Sequence, residues 1–134
     1  MLELYVWRES YETIHHKYTN TYNQSGLKVS SIRVSTLVES GRSWGNGRST
    51  FKYEYSSNNK LIVEIEDDKH RQEWKYDSND NVILYKLDIN GSFFTSSMMF
   101  YDSKNRLAIS LDEESGRRSN GKPRISIIEY KNVG

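Results

Sequence analysis

The chain has 134 residues, a formal net charge of +1 and no cysteine. This length predicts a single domain over residues 1–134, and the lack of cysteine excludes disulfides, cysteine-bound zinc and thiol chemistry. A charge near zero argues against direct binding of nucleic acid, which usually needs a strong basic excess. The N-terminus has neither a basic segment nor a long apolar run, so we expect a cytoplasmic protein without membrane contacts.

The first 13 residues fit two structures. Leu2 and Tyr5 have helical spacing, whereas the alternation from Leu4 to Arg8 fits one face of a strand. We therefore leave this N-terminal segment, residues 1–13, open between helix and strand. From about residue 14 onward the chain is rich in Thr and Tyr, which favours a strand.

A short phrase recurs three times further along the chain, as YSSNNK (55–60), YDSNDN (76–81) and YDSKNR (101–106). Each copy begins with a tyrosine that ends a stretch of alternating apolar and polar residues. An aliphatic residue stands six positions after each tyrosine and opens another alternating stretch. These aliphatic residues are Leu61, Val82 and Leu107. Period-two alternation on both sides of a polar turn predicts pairs of half-buried strands.

The turn residues support a folding device rather than a ligand site. Asn59, Asp80 and Asn105 each stand four residues after the tyrosine, and Asn and Asp tolerate positive φ better than other non-glycine residues. Tyr22 begins a looser copy, with Gly26 in the same position. A ligand site would not need to be repeated at every turn.

Turns of a second kind separate these units. They cover residues 38–47, 66–70, 88–92 and 113–124, and a final strand is expected to end at Tyr130. Asn90-Gly91 is a strong hairpin signal. The alternation of the two turn types predicts an all-β protein with little helix, an antiparallel meander of about 9–10 strands. The sheet is expected to be one large curved or barrel-like sheet; two packed sheets, or a dimer, are the alternatives for covering its aromatic face.

These units resemble the YD repeats of Rhs-type and teneurin-like proteins. Tyr76-Asp77 and Tyr101-Asp102 match the start of that repeat, while Asp80-Asn81 and Asn105-Arg106 occupy its Gly-Asn or Gly-Arg position. The chain departs from the pattern because glycine is missing at three of four turns and Ser56 replaces the aspartate of the first good copy. The resemblance is to a degenerate YD-repeat β-sheet protein.

The larger YD-repeat proteins build shells around toxin domains, and five degenerate units are too few to enclose one. In size and repeat type the chain is similar to small immunity proteins of polymorphic and contact-dependent toxin systems. This resemblance implies an immunity protein that binds a cognate toxin domain, with a nuclease as the favoured target. Inhibition could block the active site or act from an exosite.

The expected partner contacts lie in two long loops and one acidic turn. Residues 40–48 and 114–124 are expected to be irregular loops that carry tryptophan and basic residues, which are common interface anchors. The acidic turn at Asp67 and Asp68 could face a basic cleft of the toxin. The predicted partner-binding residues are Arg42, Trp44, Arg48, Asp67, Asp68, Arg117, Arg118, Lys122 and Arg124.

No residue pattern predicts catalysis, a cofactor or a metal. His15 and His16 are adjacent, so on a strand they point to opposite faces and do not share a metal. The spacing of Asp77, Asn79 and Asn81 is similar to half a calcium loop, but Val82 stands where that loop needs glycine. We therefore expect a non-enzymatic protein without a cofactor, and the oligomeric state stays open.

A carbohydrate- or surface-binding module is the alternative function. Aromatic side chains on one sheet face can stack on sugar rings, although the same rings can form the core, which we favour. The aromatic residues concerned are Tyr53, Tyr55, Trp74, Tyr76 and Tyr101. Nucleic-acid binding through basic loops is a weaker third hypothesis because the net charge is near zero.

Overall fold

A computed structural model describes residues 2–9, 12–39, 42–115 and 122–131, and its side chains over 14–37, 47–115 and 122–131. Within these ranges the chain forms strands and turns, and no helix. The strands are β1 (Leu2–Glu9), β2 (Glu12–Tyr22), β3 (Lys28–Glu39), β4 (Arg42–Tyr55), β5 (Leu61–Glu66), β6 (His70–Tyr76), β7 (Val82–Ile89), β8 (Ser92–Tyr101), β9 (Leu107–Glu114) and β10 (Arg124–Ile127).

The strands succeed one another in chain order in an antiparallel meander sheet. The predicted all-β class, the antiparallel meander and the strand number of about 9–10 are confirmed. By its contacts the chain divides into a first unit, Met1–Asp68, and a second unit, Lys69–Gly134. The first unit holds β1 to β5 and the second holds β6 to β10.

Residues 2–9 of the N-terminal segment form a strand. β1 pairs with β2 over its whole length, from Leu2 opposite Thr19 to Glu9 opposite Glu12. The helical alternative is wrong because pairing with β2 satisfies the backbone groups that a helix would bond internally. β2 begins at Glu12, two residues before the predicted start.

The YDSNDN turn is built around one aspartate. The Asp77 carboxylate accepts hydrogen bonds from the backbone N–H groups of Asn79 and Asn81, at 2.8 and 3.0 Å. The Asp77 N–H donates to the Asn81 carbonyl at 2.9 Å, and Asp80 has a φ of 64°. These bonds hold the pKa of the Asp77 carboxyl below its ordinary value, chiefly through the backbone N–H of Asn81. The predicted folding device is confirmed.

Both side-chain bonds recur in the Asn23 and Asp102 copies, and one of them recurs in the Ser56 copy. Asp102 accepts from the N–H groups of Lys104 and Arg106, both at 2.9 Å. Asn23 accepts from two N–H groups in the same way, and Ser56 Oγ accepts from Lys60 N at 3.1 Å. The residue with positive φ is Gly26, Asn59, Asp80 or Asn105, as predicted. Asp, Asn and Ser are interchangeable here because each places an oxygen where the turn exposes N–H groups.

Each repeat tyrosine also marks a register shift. Pairing is irregular immediately before Tyr22, Tyr55, Tyr76 and Tyr101, and each of them pairs with the residue six positions later. Tyrosine hydroxyls then tie one repeat to another. Tyr55 donates to the Lys28 carbonyl at 2.7 Å, Tyr101 to that of Val82 at 2.8 Å and Tyr130 to that of Leu107 at 3.0 Å.

The prediction of a long loop at 40–48 is wrong. β3 runs to Glu39 and β4 starts at Arg42, so Trp44 pairs with Leu37 and Gly47 with Ser35. Glycine lowers strand propensity, but the backbone hydrogen bonds to a 12-residue neighbour override that local preference. In the second predicted loop, β9 continues to Glu114 and β10 starts at Arg124, while residues 116–121 lie outside the described part of the chain.

Among the described side chains, deep burial is confined to the first unit. Val63 on β5 is 5% exposed, and Ser31 on β3 is 2% exposed. The Ser31 hydroxyl donates to the Asn20 side chain at 2.7 Å, which satisfies the buried polar group. Most aromatic side chains are half-buried.

Candidate functional site

The predicted partner-binding residues are spread over strands and turns. Arg42, Trp44 and Arg48 lie on β4, and Arg48 is exposed. The side chains of Arg42 and Trp44, and all of Arg117 and Arg118, fall outside the described residues. The first predicted loop is therefore a strand, and the grouping of the predicted residues into one surface stays a prediction.

Asp67 connects the turn after β5 to the backbone of β4. Its carboxylate accepts from the Thr50 N–H at 2.7 Å, while its own N–H donates to the Thr50 carbonyl at 2.8 Å. Asp68 forms an exposed ion pair with Lys52 at 2.9 Å. Both aspartates have positive φ, 52° and 55°, so the acidic turn beyond β5 depends on them for its shape.

Lys122 and Arg124 lie beside the final strand. Lys122 lines a cavity of about 230 Å³ with Phe93, Glu113 and Glu114, so a basic side chain faces two acidic ones there. Arg124 begins β10, is exposed, and lies opposite Asp112 on β9.

One face of the first unit carries a charge-balanced polar cluster. Tyr53 lies opposite Glu64, and the Lys28 ammonium stands 4.8 Å from the centre of the Tyr53 ring. The Arg33 guanidinium lies 3.6 Å from the Glu66 carboxylate and 5.4 Å from the Phe51 ring. The register places these side chains on one face because residues directly opposite each other point the same way.

Burial and negative charge perturb this cluster. Burial, with the nearby Glu64 carboxylate, raises the pKa of Tyr53 to about 12. Burial, then the like charge of Glu66, raises the pKa of the Glu64 carboxyl, and Lys28 opposes the rise. Two carboxylates lie near two cations, and no nucleophile and base of this cluster are in contact, so the arrangement does not resemble a catalytic set.

One face of the second unit contains a cleft. Trp74, Tyr85, Ser97 and Asp112 lie directly opposite one another on successive strands, β6 to β9. The Trp74 and Tyr85 rings are 5.6 Å apart and inclined at 45°. The Ser97 hydroxyl donates to the Asp112 carboxylate at 2.5 Å. The cavity is about 460 Å³ and is lined by Trp74, Val82, Tyr85, Ser97, Met99, Leu107, Ser110 and Asp112.

The opposite face of the second unit exposes an apolar surface over β8 to β10. Met98 lies opposite Leu111, and Phe100 opposite Ile109. Ile125 and Ile127 extend the same rows on β10 because they lie opposite Leu111 and Ile109. The exposed fractions are 43% for Met98, 49% for Phe100, 39% for Ile109, 63% for Ile125 and 71% for Ile127. We call these five residues the isoleucine surface.

The isoleucine surface lies outside the predicted partner-binding residues, although the sequence contains a signal for it. The alternating stretch that ends at Tyr101 predicts a strand with one apolar face, but β8 is apolar on both faces, since Met98 and Phe100 alternate with Met99 and Tyr101. A strand that is apolar on both faces either lies between two layers or offers one face to a partner.

The described residues offer no preformed metal centre. Within the ranges with described side chains, no three His, Asp or Glu residues come together as metal ligands. The Asp77 carboxylate is already bonded to backbone and side-chain groups of its own turn.

Comparison with known proteins identifies a fold relative. No protein-family model matches the chain, and no curated protein sequence matches it. Its fold is similar to the crystal structure of a porin-like protein from Bacteroides uniformis, with a TM-score of 0.56 and 12% identity. The match covers 98% of this chain and 50% of that one, so the chain spans about half its length.

At 12% identity this likeness shows the fold alone. The class that fold and sequence together define is an all-β antiparallel meander protein with tyrosine-anchored turns. In the described part of the chain, no helix has the length and apolar character to cross a membrane.

Proposed function

We propose that this protein is an immunity protein that binds and neutralises a cognate bacterial toxin domain through protein–protein contact. The observation that carries the proposal is the isoleucine surface on β8 to β10. Contiguous exposed apolar side chains on a rigid sheet mark interaction surfaces. Ile127 is 71% exposed, the largest fraction among the five residues, so its burial by a partner would contribute the most hydrophobic free energy.

The surroundings of the isoleucine surface support a specific interface. The same face is charged on β6 and β7, where Arg71 pairs with Glu73 at 2.8 Å and Lys86 with Asp88 at 2.8 Å. The register joins the two regions, since Leu84 lies opposite both Lys75 and Met98. An apolar centre with charged residues on one side is the usual composition of a protein interface.

The remaining features of the proposal follow from the resemblance to degenerate YD-repeat proteins. The protein acts in the cytoplasm of the producing cell, without enzymatic activity and without a cofactor. A nuclease is the favoured toxin. Lys122 and Arg124 are exposed basic residues of the second unit outside the isoleucine surface, and Arg48 is an exposed basic residue of the first unit; such charges steer association.

The test is co-expression with the product of the neighbouring gene, scored by growth rescue and by co-purification. We expect the native protein to rescue growth and Ile127→Ser to lose rescue. In the complex the serine hydroxyl would be buried in the apolar centre of the interface without a hydrogen-bond partner. Ile83→Ser, which changes an isoleucine of 36% exposure beside the Asp77 turn, is the matched control and should still rescue. Absence of both binding and rescue by the native protein would contradict the proposal.

A further inference from the structure

The cleft of the second unit differs from the isoleucine surface in position and chemistry. It lies on the opposite face, since Ser97 and Met99 alternate with Met98 and Phe100 along β8. A ligand in the cleft can therefore bind independently of a partner on the isoleucine surface, and its binding does not rest on the proposed function.

The cleft exists because small residues stand between large ones. Trp74 and Tyr85 form one side, and the Asp112 carboxylate stands two strands beyond Tyr85. Neighbouring strands are about 4.8 Å apart, so the Cα atoms of Tyr85 and Asp112, two strands from each other, are about 10 Å apart. Ser97 lies directly between them and leaves that space open. A planar group of a few non-hydrogen atoms fits into such a gap.

The lining selects the charge of the ligand. Asp112 is the charged residue among those that line the cleft, and the aromatic faces opposite it carry negative electrostatic potential. A cation is attracted by both sides at once, through the carboxylate and through cation–π contact. An anion would be repelled by both.

The ring geometry favours a compact cation over a sugar. Sugar rings stack on a flat aromatic surface, whereas Trp74 and Tyr85 are inclined at 45° and form a corner. The remaining apolar lining, Val82, Met99 and Leu107, suits the alkyl part of a side chain. The Tyr85 hydroxyl donates to Gln72 at 2.9 Å, which holds the ring in place.

We infer that the cleft between Trp74, Tyr85 and Asp112 binds an organic cation, an alkylguanidinium or alkylammonium group. The group could belong to a free amine or to an arginine or lysine side chain of a peptide. Arg124 lies opposite Asp112 on β10, where its positive charge competes with such a ligand for the carboxylate.

The experiment is a titration of the isotope-labelled protein, followed through the indole N–H signal of Trp74 by nuclear magnetic resonance. The signal is assigned with Trp74→Phe. The probe is N-acetyl-arginine amide, with an expected dissociation constant of about 1 mM for so small a ligand. N-acetyl-citrulline amide has nearly the same shape without the charge and should not shift the signal.

Two variants test the carboxylate. Asp112→Asn should weaken binding of the arginine probe at least about tenfold, because it removes the charge and keeps the shape. Glu54→Gln also removes a carboxylate charge and keeps the shape, at an exposed position of the first unit, and should leave the affinity unchanged. Arg124→Gln should strengthen binding, since it removes the competing cation.

Agmatine and the peptide Gly-Gly-Arg-Gly-Gly then distinguish the two sources of the cation. Tighter binding of agmatine assigns the cleft to a free amine, and tighter binding of the peptide assigns it to a protein side chain. Equal shifts with the citrulline probe, an unchanged affinity in Asp112→Asn, or a response to maltose but not to the arginine probe would overturn the inference. These results are independent of growth rescue, so either idea can fail alone.

Discussion

The two units of this protein contain the same type of turn and differ in how deeply the side chains of their strands are buried. In the first unit, Val63 and Ser31 are almost completely buried. In the second unit, Phe100 is 49% exposed and Ile127 is 71% exposed. The hydrogen bonds of the Asn23 turn in the first unit are nevertheless the same as those of the Asp77 turn in the second.

The difference shows that turn chemistry and face chemistry are separate properties of this repeat. The turn needs a side-chain oxygen at one position and a residue that tolerates positive φ three positions later. Neither requirement restricts the side chains on the strands between the turns. The same turn can therefore join strands that carry almost completely buried residues in the first unit and strands that carry an exposed apolar face in the second.

The largest expected effect distinguishes a buried residue of the first unit from an exposed residue of the second unit. Val63→Ala should lower the free energy of unfolding by about 2 kcal/mol, because it removes buried methyl groups and leaves a cavity. Ile127→Ala removes more atoms but from an exposed position, so it should change stability by less than about 0.5 kcal/mol. Urea denaturation followed by circular dichroism measures both, and equal losses would contradict the contrast between the units.

A second pair of variants tests what the units share. Tyr55→Phe and Tyr101→Phe each remove a hydroxyl that bonds to a backbone carbonyl of another repeat. Each should lower the free energy of unfolding by about 1 kcal/mol, the usual value for one hydrogen bond. Tyr130→Phe is the graded control, because Tyr130 is 46% exposed and its bond is 3.0 Å long, so its effect should be smaller. If only one of the two variants, Tyr55→Phe or Tyr101→Phe, lowered the free energy of unfolding, the tyrosine hydrogen bond would not stabilise both units.

The third comparison uses two glycines of the first unit. Gly26 has a φ of 77° and no atom within 4 Å of an added Cβ, so Gly26→Ala tests backbone strain alone. It should cost about 1 kcal/mol. At Gly47 an added Cβ would meet the Ser35 side chain at an ordinary 3.8 Å, so Gly47→Ala should be neutral or stabilise by about 0.5 kcal/mol. Similar thermal midpoints for the two variants would contradict the need for a left-handed residue at position 26.

The smallest expected effect concerns acid stability of the second unit. The turn N–H groups hold the pKa values of the Asp77 and Asp102 carboxyls below their ordinary values. A carboxyl with a lowered pKa in the folded state stabilises the fold above its unfolded pKa, and the contribution is lost as the pH falls through the folded value. The urea concentration at the midpoint of unfolding should therefore fall as the pH is lowered below about 4.

Asp77→Asn and Asp102→Asn isolate this effect. Asparagine keeps the accepting oxygen, as Asn23 does in the first unit, but does not titrate in this range. The double variant should have a shallower loss of stability between pH 5 and pH 2 than the native protein. An unchanged pH profile would show that the two carboxyls are not responsible.

Much of the fold follows from short-range chemistry that can be identified in the sequence. The tyrosine, the oxygen-bearing residue after it and the positive-φ position three residues later fix where each strand ends. Alternation on either side fixes the strand phase, as for Leu61 and Val82. Local signals were insufficient at residues 42–48, where glycines predict a loop and pairing with β3 makes a strand.

The sequence by itself determined the fold class, the repeated turns and the antiparallel order, because each depends on neighbours within about six residues. Only the tertiary structure decided which apolar residues are covered and which chemical groups meet. Trp74, Tyr85, Ser97 and Asp112 are up to 38 residues apart in the chain, and register alone brings them into one row. Exposure of Ile127 likewise depends on what packs beside its strand, which no local pattern encodes.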